Sequence, residues 1–149
     1  MINISFLNLR VIKENSGRYD VSKKIQSPED VFEVVQKVIK ASEYPEENLW
    51  MITLDTKNNI TGIFTVSTGS LNTSIVHPRE VFKRAMLQNA ASIIVCHNHP
   101  SGDSTPSTED INITKRLYEA GEILGIKLLD HIIAGDNSYT SLKEQGLIN

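Results

Sequence analysis

A run of four apolar residues, Ile93-Ile94-Val95-Cys96, leads directly into His97-Asn98-His99-Pro100. Alternate residues of a strand point to opposite faces, so a strand that is apolar at every position is buried on both. Ala91 to Cys96 therefore reads as a central strand of a sheet covered by helices on either side. Such a sheet needs a sizeable core. The chain has 149 residues, 40% of them hydrophobic, which suits one domain.

The rest of the pattern supplies the covering elements. Ser27-Pro28-Glu29-Asp30 reads as a helix start: Ser suits the N-cap, Pro the first helical position, and two acids the positive end of the dipole. Val31, Val34, Val35, Val38 and Ile39 follow at helical spacing, and the helix should fade before Pro45. Asn48 to Leu54 and Ile60 to Thr68, joined by the turn-like Thr56 to Asn59, predict a β-hairpin. A loop at 69–72 and a short extended piece at 74–76 come next. Pro78 opens a helix to Asn89 with Val81, Phe82, Ala85 and Met86 on one face. Residues 107–124 predict another, with Ile111, Leu117, Tyr118 and Leu124 inward and Gly125 ending it. Ile126 to Ala134 is a strand and 135–138 a turn. Residues 1–26 read as an N-terminal extension, and the loose alternation over 2–12 suits a β-hairpin. The whole predicts an α/β (α+β) single domain with helices packed on a sheet.

Several function classes are disfavoured. The net charge is −3 with the signs interspersed, so bulk electrostatics gives no reason to expect tight nucleic-acid binding. The basic pairs Lys23-Lys24, Lys83-Arg84 and Lys115-Arg116 read as solvated helix faces rather than a phosphate track. A single cysteine, Cys96, excludes an intrachain disulfide scaffold and a Cys-rich zinc ribbon. No apolar stretch approaches the ~18 residues of a membrane helix, and no signal peptide is visible. A cytoplasmic, membrane-free protein is the expectation.

Chemistry concentrates in residues 97–110, HNHPSGDSTPSTED. His97 and His99, two apart at the end of a strand, would present their imidazoles on the same side. Asp110, in the first turn of the next helix, can be folded back to add a carboxylate. Two neutral imidazoles and a carboxylate suit zinc and leave one tetrahedral position open for water, whose pKa zinc lowers from ~15.7 to about 7. The spacing has a plainer reading too. A strand-end His-x-His is often a hydrogen-bonded polar pair, and Ser107-x-x-Asp110 resembles a helix capping box. Spacing alone leaves both open.

The surrounding words are more specific. VHPREVFKRA at 76–85, HNHPSGD at 97–103, PSTED at 106–110, TKRLYEAGEILGI at 114–126, LDHIIAGD at 129–136 and YTSLKEQGLI at 139–148 resemble the RadC branch of the JAMM (MPN-type) metallopeptidases, over residues 27–149. The resemblance implies a curved mixed sheet flanked by helices, of cytidine-deaminase-like type. It implies a zinc-dependent metallopeptidase or isopeptidase with one Zn2+ per chain on His97, His99 and Asp110, acting on a peptide or isopeptide. It assigns Glu47, or its neighbour Glu46, as the glutamate that shuttles the proton of the attacking water. Ser107 becomes the donor to the developing oxyanion. A hydroxyl has one proton, so that role is expected to compete with helix capping. The family's traditional DNA-repair name gives the alternative: a DNA-associated protein of repair or mobile elements, nuclease-like or only binding. Members often carry an N-terminal helix-hairpin-helix-like region, for which residues 1–26 leave no room, so that alternative is the weaker expectation.

Three other residues carry expectations. His131 alternates with Ile133 along a strand and reads as structural or supporting rather than as a ligand. His77 precedes Pro78 and suits an N-cap. Cys96 should point away from His97 and fill the core.

Overall fold

A computed structural model describes residues 1–69 and 76–148. The expected piece at 74–75 and loop at 70–72 lie outside the described residues.

Helix α1 spans Pro28–Val34, with a reciprocal cap at its start: Asp30 N donates to Ser27 Oγ and Ser27 N to Asp30 Oδ2. It widens into a π-helical turn over Val35–Ile39 and ends where Lys40 takes a left-handed φ of 57°. A short 3-10 turn, Ala41–Glu43, follows. Strands β1 (Asn48–Leu54) and β2 (Ile60–Thr68) form the expected antiparallel hairpin. Asp55 Oδ1 accepts from Lys57 N and Asn59 N, and Asn58 supplies the positive φ of the turn. Helix α2 spans Pro78–Leu87 and buries Val81, Phe82 and Ala85, while Met86, expected inward, is exposed.

Strand β3 (Ser92–Asn98) is buried at every position and runs two residues past the expected Cys96. Helix α3 spans Thr108–Leu124 and stops where Gly125 turns left-handed at φ 73°. Its inward stripe is Asp110, Ile113, Thr114, Leu117 and Gly121, and Leu124, expected inward, is exposed. Two polar members disguise that stripe in a pattern read from hydrophobicity. Gly121 lets α3 approach β4 closely, since a Cβ there would lie 2.5 Å from the Ile126 carbonyl oxygen. Strands β4 (Lys127–Ala134) and β5 (Tyr139–Ser141) complete the sheet.

The strand order is β2-β1-β3-β4-β5. Only β3 and β4 are parallel, which requires a crossover, and α3 is that crossover. The sheet separates two apolar clusters. On one face Leu49, Met51, Ile93, Val95 and Ile133 pack with Phe82 of α2 and Leu117 of α3. On the other Trp50, Ile52, Ile94, Cys96 and Ile132 pack with Val31 and Val34 of α1. The result is the expected mixed sheet with helices on both faces.

Residues 2–12 do not form the expected hairpin. They take no regular secondary structure and are exposed, with Phe6 and Leu7 fully in solvent. The apolar alternation slips one place between Phe6 and Leu7, so neither face of a strand would be uniformly apolar, and an isolated two-stranded hairpin has little stability of its own. The chain joins the fold at 23–25, where Ile60 N donates to Lys23 O and Ile25 N to Asn58 O.

Candidate metal centre

The site lies at the C-terminal end of β3. Leu49 pairs with His97 and Val95 with His131, so His97 and His131 share the face that carries α2 and α3. His99 follows the strand, with its N–H donating to Ala134 O at 2.8 Å. That bond keeps His99 in line with β3 and turns its ring to the side of His97, as the alternation predicts. The two Nε2 atoms are 2.9 Å apart. Asp110, at the third position of α3, meets both: Oδ1 is 3.0 Å from His97 Nε2 and Oδ2 is 3.2 Å from His99 Nε2. One ligand atom from each of the three residues lies within 4.8 Å of the others. Among the described residues this is the one such group of His, Cys, Asp or Glu.

The donor set fits a divalent cation. His99 Nδ1 is 2.7 Å from Asp103 O. A carbonyl only accepts, so Nδ1 carries the proton there and the Nε2 of neutral His99 presents a lone pair to the cluster. A carboxylate and a nitrogen lone pair facing each other need a proton or a metal ion between them. In the metal-free chain a proton serves. Its bond to Asp110 raises the His99 pKa above 6.5 against the effect of burial, helped by Asp103 O and by the charges of Asp110 and Glu47. Burial alone would raise Asp110, but its interactions with the His97 and His99 imidazoles outweigh it and hold the carboxyl well below the usual carboxylate range.

Both plain readings hold alongside the cluster. Ser107 and Asp110 do form a capping box: Asp110 N donates to Ser107 Oγ at 3.1 Å and Ser107 N to Asp110 Oδ2 at 2.7 Å. The expected competition at Ser107 is corrected by this geometry. Capping uses a lone pair of Oγ and leaves the hydroxyl proton available on an exposed residue.

The pleat places Glu46 and Glu47 on different faces. Extending the Leu49–His97 register two residues, just past the ends of both strands, would bring Glu47 opposite His99 on the same face. Glu46 then points to the opposite face, and it is exposed while Glu47 is half-buried. The field of Glu47 on His99 agrees.

Asn98, which sequence reasoning passed over, secures this segment. Its Oδ1 accepts from Asn48 N at 2.7 Å, and its Nδ2 donates to Glu46 O at 2.9 Å. The only signal was a buried-strand position held by an amide. Thr114 was also missed, although it stands one helical turn after Asp110. His131 touches His97 on the side away from Asp110 and is not itself a member of the cluster, in line with a supporting role, with His97 Nδ1 2.7 Å from His131 Nε2. Complete burial pushes the His131 pKa well below its ordinary value. His77 does occupy the N-cap of α2, without a side-chain capping bond. Cys96 lies on the opposite face in the apolar cluster, its thiol pKa raised by burial.

Beside His99 opens a cleft of about 520 Å³, with Tyr44, Pro45, Asn98, Gly102 and Asp136 among its walls. The loop after His99 is tied to the β4–β5 turn. Asp136 N donates to Gly102 O at 2.8 Å, and a Cβ on Gly135 would collide with that same oxygen.

A mixed sheet between helices, with a strand-end His-x-His facing an aspartate on the following helix, defines a JAB-type domain with a candidate metal centre. The chain belongs to the RadC-like JAB domain family, whose model matches residues 25–147. It is 57% identical over 125 residues to a UPF0758 protein of Clostridium beijerinckii, covering 84% of this chain and 54% of the relative. A UPF0758 protein of Clostridium acetobutylicum is 56% identical over 127 residues, covering 85% and 55%. One from Clostridium botulinum strain Hall is 50% identical over 147 residues, covering 95% and 64%. The chain thus spans little more than half the length of the first two relatives. No helix among the described residues is long and apolar enough to cross a membrane.

Proposed function

We propose that the chain is a zinc-dependent hydrolase of amide bonds, a metallopeptidase or isopeptidase. The observation that supports this is the convergence of His97 Nε2, His99 Nε2 and the Asp110 carboxylate beside an open cleft. Two imidazoles and one carboxylate suit zinc and leave room for substrate. When bound, zinc supplies a Lewis acid and acidifies water to a pKa of about 7. Glu47, on the same face, takes the proton of the attacking water and returns it to the leaving amine. Ser107 donates its spare hydroxyl proton to the carbonyl oxygen as negative charge develops there. Peptide or isopeptide enters along the cleft. The acidic net charge supports no tight nucleic-acid partner, and the lone buried Cys96 suits a reducing cytoplasm.

The test is a panel of peptide and isopeptide substrates, with single- and double-stranded DNA alongside, offered to zinc-loaded protein. We expect amide cleavage that stops on chelation and in Asp110→Ala. DNA cleavage lost in Asp110→Ala, with every amide left intact, would transfer the site to the DNA-associated reading.

A pH dependence follows. Zinc must displace the proton that His99 shares with Asp110. Because the His99 pKa is raised, that proton is held to higher pH than on a free histidine. Zinc affinity should climb with pH by up to about tenfold per unit for one displaced proton, and level off above the raised value. Competition with a chromophoric chelator across the neutral range measures this. An affinity that is flat below pH 6.5 and through neutrality would contradict it.

A further inference from the structure

Behind the metal-facing atoms runs a closed chain of hydrogen bonds in the buried interior. Thr114 Oγ1 is 2.6 Å from the carbonyl oxygen of Asp110, one turn back along α3. The same Oγ1 is 2.6 Å from His131 Nδ1, and His131 Nε2 is 2.7 Å from His97 Nδ1. His97, Thr114 and His131 are each fully buried. The chain therefore starts at one prospective ligand, His97 on β3, and ends on the backbone of another, Asp110 on α3.

Proton counting gives this chain one direction. The Asp110 carbonyl only accepts, so the single proton of Thr114 Oγ1 is committed to it. Toward His131 the hydroxyl must then accept, and His131 Nδ1 carries a proton. The two groups bonded to His131 are a hydroxyl and an imidazole, neither an anion, and a cationic ring fully removed from water would be costly. His131 therefore holds one proton, and its Nε2 is an acceptor. His97 Nδ1 must donate to it. The remaining nitrogen, His97 Nε2, is left with its lone pair toward the cluster, where the proton on His99 Nε2, 2.9 Å from it and 3.2 Å from Asp110 Oδ2, stands between the imidazole and the carboxylate in the metal-free chain.

We infer that Thr114 and His131 are positioning residues that lock His97 in the Nδ1–H tautomer, so that Nε2 is held unprotonated toward the metal site. A free imidazole in water favours neither this tautomer nor this ring angle. The relay fixes both, and through the Asp110 carbonyl it fixes the strand against the helix. His99 obtains the same tautomer from a different acceptor, Asp103 O, so the two imidazoles are oriented independently. Outer bonds of this kind typically change metal affinity by about 10–100-fold when removed.

The use of Nε2 rests on the proposed metal centre, but the tautomer is a property of the metal-free chain. The test has two arms. The first records two-bond 15N–1H correlations of the histidines in metal-free protein at mildly alkaline pH. We expect Nδ1–H for both His97 and His131. The second measures zinc affinity by chelator competition in Thr114→Val, Thr114→Ser, His131→Leu and His131→Gln. We expect Thr114→Val and His131→Leu to bind about 10–100-fold more weakly. Thr114→Ser, and His131→Gln, whose amide can accept from His97 and donate to Thr114, should recover most of the loss. A His97 that carries its proton on Nε2 in the wild-type chain would overturn the inference. So would folded Thr114→Val and His131→Leu that bind zinc as tightly as wild type. If those two variants fail to fold, the wild-type spectrum and the two conservative variants decide. Wild-type protein with both Nδ1–H tautomers and no affinity for zinc would support the lock and sink the hydrolase reading.

Discussion

His97→Ala/His99→Ala protein should purify with background zinc, where the wild type is expected to hold about one ion per chain. Three ligands fall to one, and the survivor, Asp110, is a buried carboxylate that keeps its bond from Ser107 N but loses both imidazoles. Breaking a buried pair by removing one partner commonly costs about 3–5 kcal/mol, so the double variant should also melt earlier in chelator. His99→Ala alone is the gentler control. Its side chain is 12% exposed, and its removal leaves the His97–His131–Thr114 chain intact. Elemental analysis after chelation and reloading reads the outcome, with circular dichroism to establish folding. Full zinc retention in a folded double variant would end the ligand assignment.

Glu47→Gln separates holding the metal from using it. Glu47 is outside the ligand cluster, so zinc content and folding should match wild type. Hydrolysis should fall by about 10²–10⁴, the usual share of a positioned proton-transfer group. The neighbouring Glu46→Gln should be close to silent. Glu46 engages the fold through its backbone oxygen, which accepts from Asn98 and Asn48, and the substitution leaves that oxygen in place. Steady-state rates on one cleavable amide, with zinc measured on the same samples, compare the two. If Glu46→Gln were the inactive variant, the register that sets Glu47 opposite His99 would not describe the working enzyme.

How much of this could be read before the structure depended on the range of each interaction. The His97, His99 and Asp110 cluster was legible because its geometry is local: a strand end, a nine-residue loop and a helix start fix where the three can meet. The hairpin and α1 were legible from caps, turn residues and periodicity. Which face Glu46 and Glu47 each take was not, because it is set by the pairing of β1 with β3 across nearly fifty positions. His131 reaches His97 only through the β3–β4 register, so spacing could suggest a supporting role but not its partner. Asn98 and Thr114 were hidden for a shared reason. Polar residues on inward positions look like breaks in an apolar pattern until their partners are seen. At the N-terminus, apolar alternation was present without a surface to bury it, and pattern alone could not reveal that.

The bond from Asp136 to Gly102 joins two places that the chain could have kept apart. Gly102 sits next to Asp103, whose carbonyl fixes the His99 ring, and Gly102 and Asp136 also form part of the cleft wall. If the cleft takes a substrate as proposed, an occupant that pushes on this wall would move the acceptor of His99, and so alter how well the imidazole is presented. Linkage then runs both ways: whatever factor cleft occupancy applies to metal affinity, the metal applies to the occupant. On the proposed function, selectivity for a substrate and retention of the ion would become a single coupled equilibrium, set at the contact between Gly102 and Gly135, where a Cβ on Gly135 would collide with the Gly102 carbonyl oxygen.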